Sequence, residues 1–289
     1  MARIFKTASP ADVLTLRTFV SKVNDVATNS TGAIHLSPKG LHLTVRSKWD
    51  WMMALQLTPG EGSSWPDARS MMVAINMTEL ASALNTDVLS LTIVVTEDED
   101  DERVVSFVAS LQDDCAFTFL PTSHVGGDMV NDNTSTLDKV RTRAEALGHQ
   151  FQLSKAQFGA LVHFHNMNGA VLMTLTSEPG RLTAKGRHRD KKAELSIVRA
   201  DINPPPVGSG VSIRLKDKFM TCMKALVLAD DTVVTVHFSS AMVAFSTPSC
   251  FVALPADGKQ LHEESAEGGD DAAELSTILR LLSAMSRTT

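Results

Sequence analysis

The sequence holds little cysteine, and none of it is paired. Cys115, Cys222 and Cys250 lie far apart and form no Cys-x-x-Cys. Disulfide scaffolds and zinc ribbons need closely spaced pairs, so neither class fits; three buried thiols in a reducing compartment are expected. No apolar run reaches the roughly 18 residues of a membrane span. Met1 to Pro10 carries no apolar core of a signal peptide, so none is expected, and the reading is a cytosolic or nuclear chain without a membrane partner. A basic excess is missing too. Lys and Arg total 27 against 33 Asp and Glu, a net charge of −6 over 289 residues. Small domains that grip phosphates are usually basic, so any nucleic-acid contact must come from a local patch. Catalytic signatures are absent as well: no GxSxG, Walker loop, HExxH or dinucleotide fingerprint occurs. The pair His163 and His165 has an HxH spacing, but on a helix these side chains point to different faces. No metal, cofactor or small-molecule substrate is expected.

What is present is a sizeable core and a repeat. Hydrophobic residues make up 43% and charged residues 21%, the balance of a globular chain, and the length fits two domains. A strand over Ala2–Thr7 precedes a helix over Pro10–Val26, with Ser9 as N-cap and proline at the first helical position. Val13, Leu16, Val20 and Val23 make its apolar face. Strands follow at Ala33–Leu36, Leu41–Arg46 and Trp51–Leu57, broken by the turn Pro38-Lys39-Gly40. After a Gly/Ser/Pro connection at 59–69 the order restarts: strand Met71–Met77, a short helix capped by Thr78 and running to Leu84, then strands Val88–Thr96, Arg103–Leu111 and Cys115–Leu120. Pro121–Gly148 breaks the pattern and reads as a connector, loosely helical over Thr136–Leu147.

The unit then appears twice more. The third copy is strand His149–Leu153, a helix capped by Ser154 and ending at Asn166, and strands Ala170–Thr176, Arg181–Lys185 and Ala193–Arg199. Asn203–Gly210 connects it to the fourth: strand Val211–Arg214, helix Leu215–Val227, and strands Thr232–Phe238, Ala241–Ser246 and Phe251–Leu254. Four strand–helix–three-strand units, grouped two and two, predict an α+β architecture with helices on one face of antiparallel sheets. The expected divisions are 1–120, connector 121–148, 149–256, and a tail at 257–289. That tail holds an acidic linker (Glu263, Glu264, Glu267, Asp270, Asp271) and an amphipathic stretch, Ala272–Ser286, with Leu275, Ile278, Leu279 and Leu282 at helical spacing.

In this layout the chain resembles the DNA sliding-clamp family, whose domains are each built from two such units. Among its subtypes the chain looks most like the Hus-type subunit of the heterotrimeric DNA-damage checkpoint clamp, the nine-one-one complex. The stretches that carry the likeness are Met1–Lys6 (MARIFK), Leu36–Val45 (LSPKGLHLTV), Ile75–Leu84 (INMTELASAL), Cys115–Pro121 (CAFTFLP) and Phe251–Pro255 (FVALP). The resemblance implies a non-catalytic nuclear protein in a ring with two Rad-type clamp subunits. It would encircle double-stranded DNA, be placed there by a clamp loader, and recruit checkpoint and repair factors. The tail beyond Phe251–Pro255 departs from that pattern. The alternatives are a homotrimeric replication clamp of the PCNA type and an enzyme of unrecognised α+β fold.

The resemblance also assigns residues. The family lines its ring with helices, which points to Arg17 and Lys22 in the first helix, Lys155 and His163 in the third, and Lys216, Lys218 and Lys224 in the fourth; the second helix has no basic residue. Ring subunits join through strand edges, which map here to the strand of Cys115, Phe117, Phe119 and Leu120 and to Leu182–Gly186, with Leu182, Ala184 and Lys185. An apolar unpaired edge needs a partner to cover it. Leu275, Ile278, Leu279 and Leu282 are candidates for docking on this subunit or on another chain. Glu97–Glu102 and Arg187–Lys192 read as solvated hairpin tips, the basic one with the option of touching DNA at the ring's face or serving as a localisation signal.

Overall fold

The computed structural model describes residues 2–27, 30–47, 51–66, 70–84, 87–97, 103–113, 115–120, 123–124, 137–147, 149–168, 172–178, 180–188, 191–198, 211–216, 221–226 and 232–257. The acidic tip 98–102, the connection 203–210, Lys218 and the whole tail from 258 lie outside them.

The first unit opens with β1 (Ala2–Lys6) and α1 (Pro10–Val26). The start of α1 is fixed by a capping box: Ser9 N–H donates to Asp12 Oδ2 at 2.9 Å, and Asp12 N–H donates to Ser9 Oγ at 3.3 Å. Two orphan donors are thereby satisfied. Val13, Leu16, Phe19, Val20, Val23 and Val26 are buried along one stripe. β2 (Thr31–Ser37), β3 (Gly40–Ser47) and β4 (Trp51–Leu57) follow as a meander. Gly40 has φ +134°, and a β-carbon there would sit 2.1 Å from the Leu57 carbonyl oxygen. Only glycine closes this turn.

The second unit is β5 (Met71–Asn76), α2 (Met77–Ala83), β6 (Ser90–Glu97), β7 (Arg103–Ser110) and β8 (Ala116–Phe119). The cap of α2 is Asn76, not Thr78: Asn76 Oδ1 accepts from the N–H groups of Thr78 and Glu79 at 2.8 and 3.3 Å. In the connector, β9 (Ser123–His124) pairs with β5, and residues 137–145 form a helix, α3.

The third unit is β10 (His149–Ser154), α4 (Lys155–Asn168), β11 (Leu172–Glu178), β12 (Arg181–His188) and β13 (Lys191–Val198). Ser154 and Gln157 form the capping box of α4. The fourth unit is β14 (Val211–Lys216), a 3-10 turn at Thr221–Ala225, β15 (Val233–Phe238), β16 (Met242–Ser246) and β17 (Cys250–Pro255). Here the expected helix from Leu215 is corrected. Ile213 and Leu215 are buried two residues apart, in register with Leu175 and Met173 of β11. The strand period therefore claims Leu215 and Lys216, and among the described residues of the expected helix a short turn buries Cys222, Met223 and Ala225.

Three antiparallel sheets result: β1-β6-β7-β8, β13-β12-β11-β14, and a nine-stranded sheet β10-β15-β16-β17-β4-β3-β2-β5-β9. The last is continuous across both halves of the chain because β17 pairs with β4, Cys250 opposite Leu55. Strand alternation gives this sheet two faces. Leu43, Val45, Met53, Leu55, Val252 and Leu254 join the main core with α1, α2 and α4. On the opposite face Met52, Ala54, Met242, Ala244, Phe251 and Ala253 meet Leu137, Val140 and Ala144 of α3. The described stretch 137–147 of the connector, expected to be loosely helical, thus packs as a strap over the sheet.

Candidate nucleic-acid interface

α1, α2, α4 and the 3-10 turn form one layer on the main-core face, opposite α3. α1 lies against α2, where Asn24 Nδ2–H donates to the Met77 carbonyl at 3.2 Å. Its other neighbour is the 3-10 turn. Met223 and Leu226, in and just after that turn, share a shallow depression of about 730 Å³ with Phe158, Val162 and His163 of α4. The order α2–α1–turn–α4 follows from packing: each element buries one stripe in the common core and leaves the other outward.

Five of the seven expected contact residues are in the described part of this layer or next to it. Arg17 and Lys22 line a polar cleft of about 470 Å³ between α1 and α2, with Ser21, Asn24, Thr78 and Ser82. Lys22 Nζ is 2.6 Å from Asp25 Oδ2, so part of its charge is locally balanced. Lys155 and His163 are exposed on α4, and Gly159 between them would accept a β-carbon without meeting any atom within 4 Å. The backbone of α4 is thus openly approachable. Lys224 is partly exposed on the 3-10 turn. Lys216 is not helical; it closes β14. Lys218 is outside the described residues. In α2 the only charged residue is Glu79, so the cationic part of the layer runs from α1 to α4. His165 is buried at 4% exposure while His163 faces out, and no group of three metal-ligating side chains occurs among the described residues.

The expected edge at Cys115–Leu120 is in place. β8 ends its sheet and pairs only with β7 among the described strands. Leu111 N–H donates to the Cys115 carbonyl at 2.7 Å. By the two-residue alternation of an antiparallel ladder, Phe117 and Phe119 then exchange bonds with β7, while Ala116 and Thr118 turn their N–H and C=O groups outward. Leu120 is 68% exposed. Cys115 is exposed, not buried as expected; Cys222 and Cys250 are buried.

The second expected edge is corrected. Leu182–Gly186 belongs to β12, which is paired on both sides, with β11 and with β13. Leu182 and Ala184 are each 1% exposed; only Lys185 is exposed, in a 3.6 Å ion pair with Glu194. Burial on one face and a small alternating strand do not reveal which strand is outermost. The outer strand beside β12 is β13, whose exposed Lys192, Glu194 and Ser196 are the polar side chains that blunt an open edge. The Leu275, Ile278, Leu279 and Leu282 stretch lies outside the described residues.

A further polar group sits under α3. His35 and His42 are half-buried, their ring centroids 6.0 Å apart. Burial holds both below the usual histidine range, with Asp138 opposing it; His35 and Arg141 lower His42 further. His237 is lowered by burial against the opposing pull of Glu145 and of a hydrogen bond to the Ala144 backbone. Arg141 lies over the Phe251 ring at 5.4 Å.

This architecture is the α+β fold of the PCNA sliding clamps. The solved structures it resembles include a PCNA2-PCNA3 complex from Sulfolobus tokodaii (TM-score 0.63, 11% identity, 89% of this chain and 100% of that one). PCNA from Entamoeba histolytica matches at TM-score 0.61 and 14% identity, over 88% and 98% of the two chains. PCNA from Thermococcus kodakaraensis matches at 0.61 and 10%, over 89% and 100%. No protein-family model and no curated protein sequence matches the chain.

Proposed function

We propose that the chain is a non-catalytic subunit of a ring-shaped DNA clamp. The observation that carries this reading is the helical layer holding Arg17, Lys22, Lys155 and Lys224, backed by sheets in which β8 and β13 each have one side unpaired among the described strands. A wall of cations that touches phosphate and no base edge suits a protein that must slide. Among the described strands β8 and β13 are outer strands of two different sheets, one in each half of the chain, and such a pair suits head-to-tail closure. β8 of one subunit would add to β13 of the next and cover Phe117, Phe119 and Leu120.

More finely, we propose the Hus-type subunit of the checkpoint clamp, acting in the nucleus with two different Rad-type chains and a clamp loader and recruiting checkpoint and repair factors. The support is the local likeness of the five stretches quoted above. One structural neighbour is itself a complex of two distinct clamp chains. The second reading is a homotrimeric replication clamp, favoured by the presence of both edges on the same chain. Mass in solution separates them. A purified chain that stays at 31.2 kDa, and enters a ring only when co-expressed with two other clamp chains, is the expected result. A stable homotrimer at micromolar concentration sinks the checkpoint assignment, and a chain that never joins any ring sinks both.

A further inference from the structure

The sheet β13-β12-β11-β14 has one face in the core and one outside. Register places Thr174, Lys185, Glu194 and Arg214 in a single row across it. Lys185, Arg214 and the neighbouring Lys192 are exposed and line a cleft of about 670 Å³ with Thr174 and Glu194. Three cations face one anion there, in a chain whose net charge is −6. This face is on the side of the sheet away from the helical layer, so the clamp reading gives it no task.

The same row has a fifth member. Asp257 N–H donates to the Arg214 carbonyl at 2.6 Å, so the described chain ends beside the outer edge of β14. Six residues later begins the acidic segment, Glu263, Glu264, Glu267, Asp270 and Asp271. Six residues span at most about 20 Å. Three strand spacings of about 4.8 Å put Lys185 about 14 Å from Asp257, and a fourth reaches β13. Length and charge therefore match the segment to this face, and its covalent attachment gives it a local concentration of order millimolar.

We infer that the segment Glu263–Asp271 docks on the outer face of this sheet, its carboxylates held by Lys185, Lys192 and Arg214. Bound there, it screens the face from other polyanions, nucleic acid included, and steers the Ala272–Ser286 stretch to the β13 end of the sheet. The proposal does not depend on ring formation.

Zero-length carbodiimide cross-linking of the full chain tests it, since the reagent joins a lysine amine to a carboxylate only in direct contact. The expected products are intrachain links from Lys185 or Lys192 to the 263–271 segment, independent of protein concentration and reduced at least about fivefold in 0.5 M salt, where exposed charges are screened. Links spread equally to Lys39 and Lys155, links found only between chains, or none to this segment overturn the proposal. A second readout uses a heparin hexasaccharide as polyanion. Replacing the five acids (Glu→Gln, Asp→Asn) is expected to tighten its binding at least tenfold relative to neutralising five acids of Glu97–Glu102, which changes net charge equally. Equal tightening in the two variants also overturns it.

Discussion

Neutralising the cations of the helical layer should flatten the salt dependence of DNA association. The perturbation is Arg17→Gln, Lys22→Gln, Lys155→Gln and Lys224→Gln in the assembled ring. Each phosphate contact contributes about 0.9 to the slope of log affinity against log salt. Arg17, Lys155 and Lys224 are each taken as meeting one phosphate. Lys22 is 2.6 Å from Asp25, with 29% and 47% side-chain exposure. A surface pair of this kind is worth only about 0.3–0.5 kcal/mol, so a phosphate can compete for the lysine. The slope should therefore fall by about 2.7 if Lys22 stays with Asp25 and by about 3.6 if it does not. Between 50 and 200 mM salt the unmodified ring should lose roughly 40- to 150-fold more affinity per mutated subunit than the variant. Fluorescence anisotropy on a duplex, repeated with an unrelated sequence, measures this, and the change should be the same for both duplexes. Lys39→Gln, on the exposed β2–β3 turn, is the control and should leave the slope in place. A slope change below about one unit means at most one of the four residues meets phosphate, and the inner-wall assignment is then wrong.

Thr118→Pro should abolish ring assembly and leave the isolated chain folded, because the N–H it removes points away from β7 and proline is tolerated on an edge strand; unaltered assembly would show that β8 is not the joining edge. Gly40→Ala should cost roughly 1–3 kcal/mol, since the β-carbon meets the Leu57 carbonyl at φ +134°, and an unchanged Tm contradicts this. Docking of α3 should weaken in acid. His35, His42 and His237 are held below their ordinary pKa by burial, so the undocked state takes up protons first. Their contribution is complete above about pH 6.5 and is lost as pH falls from there through the depressed values. Asp138 and Glu145 oppose the loss and Arg141 favours it. Hydrogen exchange across 137–147, corrected for intrinsic rates, should show less protection at pH 5.5 than at pH 7.5; equal or greater protection refutes the sign.

The repeat was readable because each unit announces itself locally. Ser9 with Pro10, Pro38-Lys39-Gly40 and the alternation of Leu41 to Val45 act within a few residues, and those elements formed as the sequence implies. The misreadings share a cause in long-range pairing. Leu215 fits a helical face and a strand face equally, and its burial opposite Met173, more than 40 positions away, decided for the strand. Asn76 displaced Thr78 as cap because β5 stops one residue early against β2. No local signal says that β12 is flanked on both sides while β13 is not; that follows only from the order of four strands. The strap α3 was half visible, since Leu137, Val140 and Ala144 have helical spacing, but the apolar patch it covers is divided among β4, β16 and β17.

On the proposed clamp function, the modest cationic character of the layer is what a topologically closed ring requires. A protein held on DNA by contacts alone needs many phosphates and becomes salt-labile and slow to move. A closed ring needs only enough attraction to centre the duplex, and too much would arrest it. Four cations beside Asp25 and Glu79, on a chain of net charge −6, give weak local attraction inside general repulsion. On the same proposal the exposed cationic cluster of Lys185, Lys192 and Arg214 has to be kept from competing. An open basic face on the outside would hold a second duplex and brake the ring. Covering it with the chain's own carboxylates leaves the inner layer as the preferred path for DNA. Neutralising the acidic segment should therefore slow diffusion of the ring along DNA, and removing Lys185, Lys192 and Arg214 in that same background should restore it.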